Sequence, residues 1–258
     1  MSVKSLLDLN GKVALVTGGS RGLGFQIAEA LGEMGAKLAI TARKKDELDE
    51  AGKKLSSSGV VVHPWVCDIG KREAIAPVAE QVLKKFGKVD ILVNNAGATW
   101  GAPAEQHPLD AWDKLVNVNL TGTFLLSQLL AKRVMIPGKW GRIVNVASVN
   151  GLLANDPRLV KTAAYVATKH GVVGLTRQLA AEWGVHGITV NAICPGFFPS
   201  KMTKATLATV GEKVRELTPT RRLGNDEDLK GLAVLLASEA SRHITGQAIA
   251  VDGGAVIV

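Results

Sequence analysis

The chain has 258 residues, of which 47% are hydrophobic and 21% charged, with a formal net charge of +8. That length suits one large α/β domain or two small ones, and the apolar share supports a sizeable core and excludes global disorder. The lysines and arginines are scattered, with local pairs at Lys44–Lys45 and Arg221–Arg222 and no interleaved aromatics, which argues for solvated faces and anionic small molecules and against nucleic acid.

The N-terminal stretch MSVKSLLDLNGK has Asp8 interrupting its short apolar run, so it does not read as a signal peptide. No apolar run reaches bilayer length. Lys12 to Thr17 is a short β-branched strand, followed at once by Gly18-Gly19-Ser20-Arg21-Gly22-Leu23-Gly24. The next segment, FQIAEALGEMG, puts Phe25, Ile27, Ala28, Leu31 and Met34 near one helical stripe. Strand, glycine loop and helix in that order form an anion cradle, because glycines allow close backbone approach and the helix N-terminus offers free N–H groups.

The strand Lys37 to Thr41 ends at Ala42-Arg43-Lys44. An acid at this point would bind an adenosine ribose diol. None stands there, and Arg43 with Arg21 can grip a 2′-phosphate through forked donors, so NADP(H) is expected. The alternative is that Arg43 is a solvated cation leading a helix. Strand three, Val60 to Val66, ends in Cys67-Asp68-Ile69, where Asp68 either accepts from an adenine amino group or caps the helix from Lys71. Strand four, Val89 to Val93, ends in Asn94-Asn95-Ala96-Gly97, small residues on the crevice side of an open sheet. Asn95 there is open to a purely structural role as well.

Leu109 to Val134 reads as one long helix carrying Asn117 and Asn119, polar groups that need partners in an apolar run. Strand five, Arg142 to Val146, leads to Ser148, a donor to substrate or a turn cap. Val149 to Lys161 is a loop over the pocket. The helix through TAAYVATKHG then holds the only tyrosine, Tyr165, four residues before Lys169. On a helix these two share a face. A free phenol has a pKa near about 10, which a neighbouring fixed cation lowers. The pair is thus a candidate general acid/base, although the spacing alone is common on helix surfaces. Strand six, Ile188 to Ile193, ends in Cys194-Pro195-Gly196. Phe197 to Glu216 lacks a clean period and reads as a mobile lid of short helices. Asp226 to Ser238 is an amphipathic helix capped by Asn225 or Asp226, and Gln247 to Val251 is the last strand. Two cysteines do not make a disulfide framework, and a reducing cytoplasm is the expected compartment. The expected fold is a single α/β domain over 1–258: a Rossmann-type, doubly wound parallel sheet of seven strands in three layers, with a lid at about 197–216.

Thr17-Gly18-x-x-x-Gly22-x-Gly24, Asn94-Asn95-Ala96-Gly97, Asn119, Ser148, Tyr165-x-x-x-Lys169 and Pro195-Gly196, in that order, make the chain resemble the short-chain dehydrogenase/reductase family over essentially its whole length. The resemblance implies hydride transfer with a nicotinamide cofactor and a homotetramer or, less often, a dimer. It implies that Tyr165 moves the proton at the carbonyl oxygen, that Ser148 bonds the same oxygen, that Lys169 lowers the Tyr165 pKa and holds the nicotinamide ribose, and that Asn119 anchors a relay water. It places the cofactor against Gly18, Ser20, Arg21, Gly22, Leu23, Gly24, Arg43, Asp68, Ile69, Asn95, Ala96, Gly97, Tyr165, Lys169, Pro195 and Gly196, with no metal. Ser148 and Tyr165 stand 17 positions apart, a few more than is usual in that family, with the excess in Leu152 to Lys161.

Within the family the chain looks most like 3-oxoacyl-thioester reductases and gluconate 5-dehydrogenase-like enzymes. A ketone such as a 3-oxoacyl thioester of acyl carrier protein or CoA suits the apolar Phe197, Phe198, Met202 and Leu207, rimmed by Lys201, Lys204 and Arg215. A sugar acid would call on Lys201 or Arg158. A non-catalytic dinucleotide-binding regulator and a methyltransferase are the readings from other classes. The first would carry an eroded catalytic set, and the second has no need of Tyr165 with Lys169.

Overall fold

Strands buried on both faces need helices above and below them, and most strands of this chain are continuous apolar runs. The computed structural model describes residues 1–258. A short helix α1 (Val3–Leu7), capped by the Ser2 hydroxyl accepting from the Ser5 N–H at 3.2 Å, precedes β1 (Val13–Thr17). There follow α2 (Gly22–Glu33), β2 (Lys37–Ala42), α3 (Lys45–Ser57), β3 (Val62–Val66), α4 (Arg72–Phe86) and β4 (Ile91–Asn94). A helical rod comes next: α5 (Leu109–Leu115), α6 (Gly122–Leu130) and α7 (Ile136–Gly138), joined by π-helical stretches at Val116–Thr121 and Ala131–Met135. The chain ends with β5 (Gly141–Val146), α8 (Ala163–Trp183), β6 (Ile188–Pro195), α9 (Lys204–Leu217), α10 (Lys230–Ala237) and β7 (Ala248–Val251).

All seven strands run parallel in the order β3-β2-β1-β4-β5-β6-β7. The order reverses between β1 and β4, so their C-terminal ends open a crevice. Residues of β1, β4, β5 and β6 are buried throughout, whereas β3 and β7, at the edges, are only part-buried. Pro64 sits in β3, where a missing N–H costs least because an edge strand has one ladder fewer to fill. Alternate strand residues face opposite layers: Ala14 and Val16 pack with Ile27 and Leu31 of α2 and Leu48 and Leu55 of α3, while Leu15 packs with Ile75 and Val82 of α4, Leu126 of α6 and Leu179 of α8. The sheet is therefore the middle of three layers, the expected Rossmann-type arrangement.

Three expectations change. The segment after Phe197 is not a set of short helices: α9 is one continuous helix of 14 residues, whose period is hard to read because only Gly211 and Val214 of it are buried. The helix expected from Asp226 begins at Lys230 without a side-chain cap; Asn225 Oδ1 instead accepts from the N–H groups of Glu227 and Asp228 in the turn before it, and Asp226 accepts from Gln26 Nε2 at 2.7 Å. The long helix continues to Gly138 but widens twice into π geometry, the first time around Asn119.

A buried polar strap crosses the sheet below the crevice. Asn94 Nδ2, at the end of β4, donates to Ser127 Oγ on α6 and to Asn145 Oδ1 on β5, each at 2.9 Å. Asn145 Nδ2 then donates to Thr176 Oγ1 on α8 at 2.9 Å. The parallel register sets Asn94 beside Asn145. In a dry interior such bonds are strong and costly to break. Asn145→Ala is expected to lower the unfolding free energy by about 2 kcal/mol through two lost hydrogen bonds and a small void, as urea denaturation followed by circular dichroism will measure.

Candidate active site

Helix α8 starts at Ala163, so Tyr165 lies in its first turn and Lys169 one turn further on. Both side chains line the crevice over the end of β5. Lys169 is 5% exposed, and its Nζ donates to the carbonyl of Val146, the last residue of β5, at 2.7 Å. The ammonium sits 5.6 Å from the centroid of the Tyr165 ring. Burial drives Lys169 down to about 8. Desolvation also raises the Tyr165 phenol, against the opposing pull of the Ser148 hydroxyl beside it. Here the structure departs from the expected lowering of Tyr165 by Lys169. The same dry wall that brings the pair together penalises both charged forms, and one of the three ammonium N–H groups is directed at Val146.

Ser148 follows β5 and is buried. Its Oγ accepts from the Asn150 N–H at 3.1 Å. The two roles read from the sequence are thus compatible: the oxygen caps the turn and the hydroxyl proton stays free to donate. Asn119 alone of the expected residues does not line the crevice. It is 2% exposed, and its amide is fully engaged: Oδ1 accepts from the Ala98 N–H at 2.8 Å, and Nδ2 donates to the Ala98 carbonyl and to Thr168 Oγ1, each at 3.0 Å. Thr168 donates in turn to the Tyr165 carbonyl at 2.9 Å. The Asn119 side chain therefore buttresses α8 from behind.

The remaining expected residues line the crevice itself. At its floor, Asn95 Nδ2 donates to the carbonyls of Thr17 (2.9 Å) and Gly18 (3.2 Å), while Thr17 Oγ1 accepts from the N–H groups of Asn95 and Ala96. Asn95 thus ties β4 to the glycine loop and has no free amide proton to offer. Gly24 is forced by the same contact, since a Cβ there would stand 2.2 Å from Asn95 Nδ2 and 2.4 Å from the Gly18 carbonyl oxygen. Asp68 caps no helix: its Oδ1 accepts from Gly70 N–H at 3.1 Å, and Lys71 occupies the cap of α4. Helix α2 begins at Gly22 with no side-chain cap, which leaves its first N–H groups directed at the crevice mouth. Gly18 (φ +66) and Gly22 (φ +54) hold the left-handed conformations that turn the loop beneath that end. This fits a pyrophosphate, and the crevice beside it is about 750 Å³.

No acid stands at the end of β2, as the sequence shows, yet one reaches the spot from elsewhere. Glu47, in the first turn of α3, lies against Arg21, Lys44 and Lys201. Desolvation pushes its carboxyl up, and Arg21, Lys44 and Lys201 together hold it below the ordinary carboxylate value. Lys201 is consequently beside Arg21 and Glu47 at the β2 end of the crevice, not at the rim of the second cavity. Sequence reasoning passed over Glu47 because KKDELDE reads as a charged helix surface.

A second cavity of about 790 Å³ meets the crevice at Gly196 and Phe198. Its walls come from the Val149–Leu159 loop, Phe197 and Phe198, the end of α9 and the C-terminal Val256 and Val258. Leu153, Leu159, Val214 and Leu217 make much of it apolar. Of the cations expected at the rim, Arg215 pairs with Glu212, and Arg158, expected to serve a sugar acid, holds both oxygens of Asp156. Arg222 pairs with Asp228, whereas Arg221, in a left-handed backbone conformation (φ 55), reaches only the Glu216 carbonyl. Met202 lines the crevice instead. Cys67 and Cys194 are free and buried, and burial raises each thiol to about 11. No group of three or more His, Cys, Asp or Glu side chains is arranged to hold a metal ion, and no helix is long and apolar enough to cross a membrane.

Residues 12–211 match the sequence profile described as short chain dehydrogenase. Gluconate 5-dehydrogenase of Gluconobacter oxydans is 37% identical over 259 residues, covering 100% of this chain and 99% of that protein. The 3-oxoacyl-[acyl-carrier-protein] reductase FabG of Aquifex aeolicus is 36% identical over 249 residues, 96% of this chain and 98% of that protein. Among solved structures, a gluconate 5-dehydrogenase from Burkholderia cenocepacia in complex with NADP and tartrate superposes with a TM-score of 0.93 at 32% identity, covering 100% of both chains.

Proposed function

This chain belongs to the short chain dehydrogenase family and is an oxidoreductase, and we propose that it uses NADP(H) to interconvert a ketone and a secondary alcohol. The observation that carries this reading is the convergence of the Ser148 hydroxyl, the Tyr165 phenol and the Lys169 ammonium on one wall of a crevice whose other end is rich in cations. When bound, the nicotinamide supplies the hydride. Ser148 donates to the substrate oxygen. Tyr165, kept protonated by its surroundings, gives its proton to that oxygen. Lys169 then stabilises the phenolate left behind, at the cost of a buried charge. Asn119 acts as a positioning residue through Thr168 and the backbone of Tyr165. Arg21 and Arg43 receive the 2′-phosphate, and Asp68 and Ile69 border the adenine.

The apolar second cavity supports a hydrophobic or extended ketone, with a 3-oxoacyl thioester of acyl carrier protein or CoA as the leading class. The segment 197–216 serves as its lid. A second reading, a sugar-acid or polyol dehydrogenase, is favoured by Arg221, the one cation of the cavity wall without a carboxylate partner, and by the gluconate 5-dehydrogenase relatives. Lys201 and Arg158, the cations first suggested for a sugar acid, are engaged with Glu47 and Asp156. The intact catalytic set lends nothing to a regulatory role. Exposed Leu109, Trp112 and Phe124 on the α5–α6 face and Ile257 at the C-terminus support self-association as a homotetramer or dimer, and the two free cysteines support a cytoplasmic setting.

Three outcomes test this. Tyr165→Phe is expected to bind NADPH as the parent does, by fluorescence titration, and to lose at least about a thousandfold in turnover; retained turnover would sink the assignment. Ketone reduction at saturating substrate is expected to hold steady through neutral pH and to decline as the pH rises past about 8, where Lys169 gives up its proton. A rate that climbs through that range would contradict the role given to its charge. Initial rates with acetoacetyl-CoA and with 5-ketogluconate, each with NADPH, separate the substrate classes: preference for the thioester supports the leading class, and preference for the sugar acid overturns it in favour of the second.

A further inference from the structure

The adenosine end of the crevice carries four cations, Arg21, Arg43, Lys44 and Lys201, and among them a single carboxylate, Glu47, that pairs with all but Arg43. Glu47 Oε2 meets Arg21 Nη1 of the glycine loop at 2.5 Å. Glu47 Oε1 lies 3.5 Å from Lys44 Nζ, just ahead of α3, and 3.6 Å from Lys201 Nζ, in the turn between β6 and α9. Arg43 lines the same space. A glutamate in the first turn of a helix ordinarily meets one cation of its own helix at i,i+3 or i,i+4. Here cations from three separate segments converge on two carboxylate oxygens. The chain has built an oxyanion site and supplied an oxyanion of its own.

We propose that Glu47 is an internal competitor for the 2′-phosphate of the cofactor, and that Lys201 is a further ligand of that phosphate. The proposal rests on the NADP(H) reading above. A phosphate monoester carries nearly two negative charges and three acceptor oxygens, so it can take Arg21 and Lys201 from a carboxylate that has one charge and two oxygens. A ribose hydroxyl has no charge with which to do so. Lys201 lies on the turn that leads into α9, while Phe197 and Phe198 of the same connection wall the second cavity. Exchange of partner at Lys201 therefore links the identity of the adenosine end to the segment that borders the substrate. Cofactor preference then resides not only in Arg21 and Arg43 but also in a repelling acid and a cation borrowed from the substrate side.

Isothermal titration calorimetry of adenosine 2′,5′-bisphosphate and of 5′-AMP tests this without turnover, using the parent, Glu47→Gln and Lys201→Met. Glu47 and Lys201 are solvent-accessible, and circular dichroism checks that both variants remain folded. Tighter binding of the bisphosphate than of 5′-AMP by the parent supports the cofactor reading; equal affinities would overturn that reading and the proposal with it. Given the preference, Glu47→Gln is expected to tighten the bisphosphate by roughly threefold or more and Lys201→Met to weaken it by a similar factor, with 5′-AMP unchanged in both. Unchanged or weaker bisphosphate binding by Glu47→Gln overturns the competitor role. Weaker 5′-AMP binding by that variant does the same and marks Glu47 as an acceptor for ribose hydroxyls. An unaltered bisphosphate affinity in Lys201→Met removes Lys201 from the site.

Discussion

A buried ammonium bonded to the last carbonyl of a strand is the constraint around which the Tyr165 side of the crevice is built. Lys169 is almost wholly shielded from water, and a charge in such a place costs several kcal/mol unless it is held by good partners. Its bond to Val146 fixes α8 against the end of β5. The polar residues around it make that docking unique. Asn119 and Thr168 brace the first turn of α8 from the side of the helical rod, and Asn94, Asn145 and Thr176 lock α8 to β4 and β5 lower down. A sheet and helix joined only by leucines and valines could slide without much penalty, whereas these bonds are satisfied in a single register. The distance from phenol to crevice is thus set by several elements at once.

The other half of the crevice is organised by backbone more than by side chains. Thr17, Asn95 and Gly24 close the gap between β1 and β4 so tightly that the glycine loop has one path across it. That path delivers the uncapped start of α2 to the crevice. The side chains then act at the extremities, with Arg21, Arg43, Glu47 and Lys201 at one end and Ser148, Tyr165 and Lys169 at the other.

Much of this was legible in the residues, because it is local. Strand, glycine loop and helix are consecutive, and Tyr165 and Lys169 share a helical face by spacing alone. What stayed hidden depends on which distant segments meet. Glu47 reads as helix surface until Arg21 and Lys201 are brought to it by two different strand ends. Lys201 reads as part of a substrate rim until its turn is seen to reach back over the glycine loop. Asn145 is one more polar residue in a strand until the register sets it beside Asn94. The continuity of α9 escaped notice because a helix that buries so little has almost no stripe to display. The π-helical stretches escaped because they shift the spacing on which periodicity is judged.

The phenol at the centre of the crevice is also the only one in the protein. Ionised phenol absorbs at longer ultraviolet wavelength than its neutral form, and in a chain with many tyrosines that band is an average over unrelated sites. In this chain it belongs to Tyr165 alone, so ordinary absorbance spectroscopy on the unlabelled protein becomes a window on the protonation of a single crevice side chain.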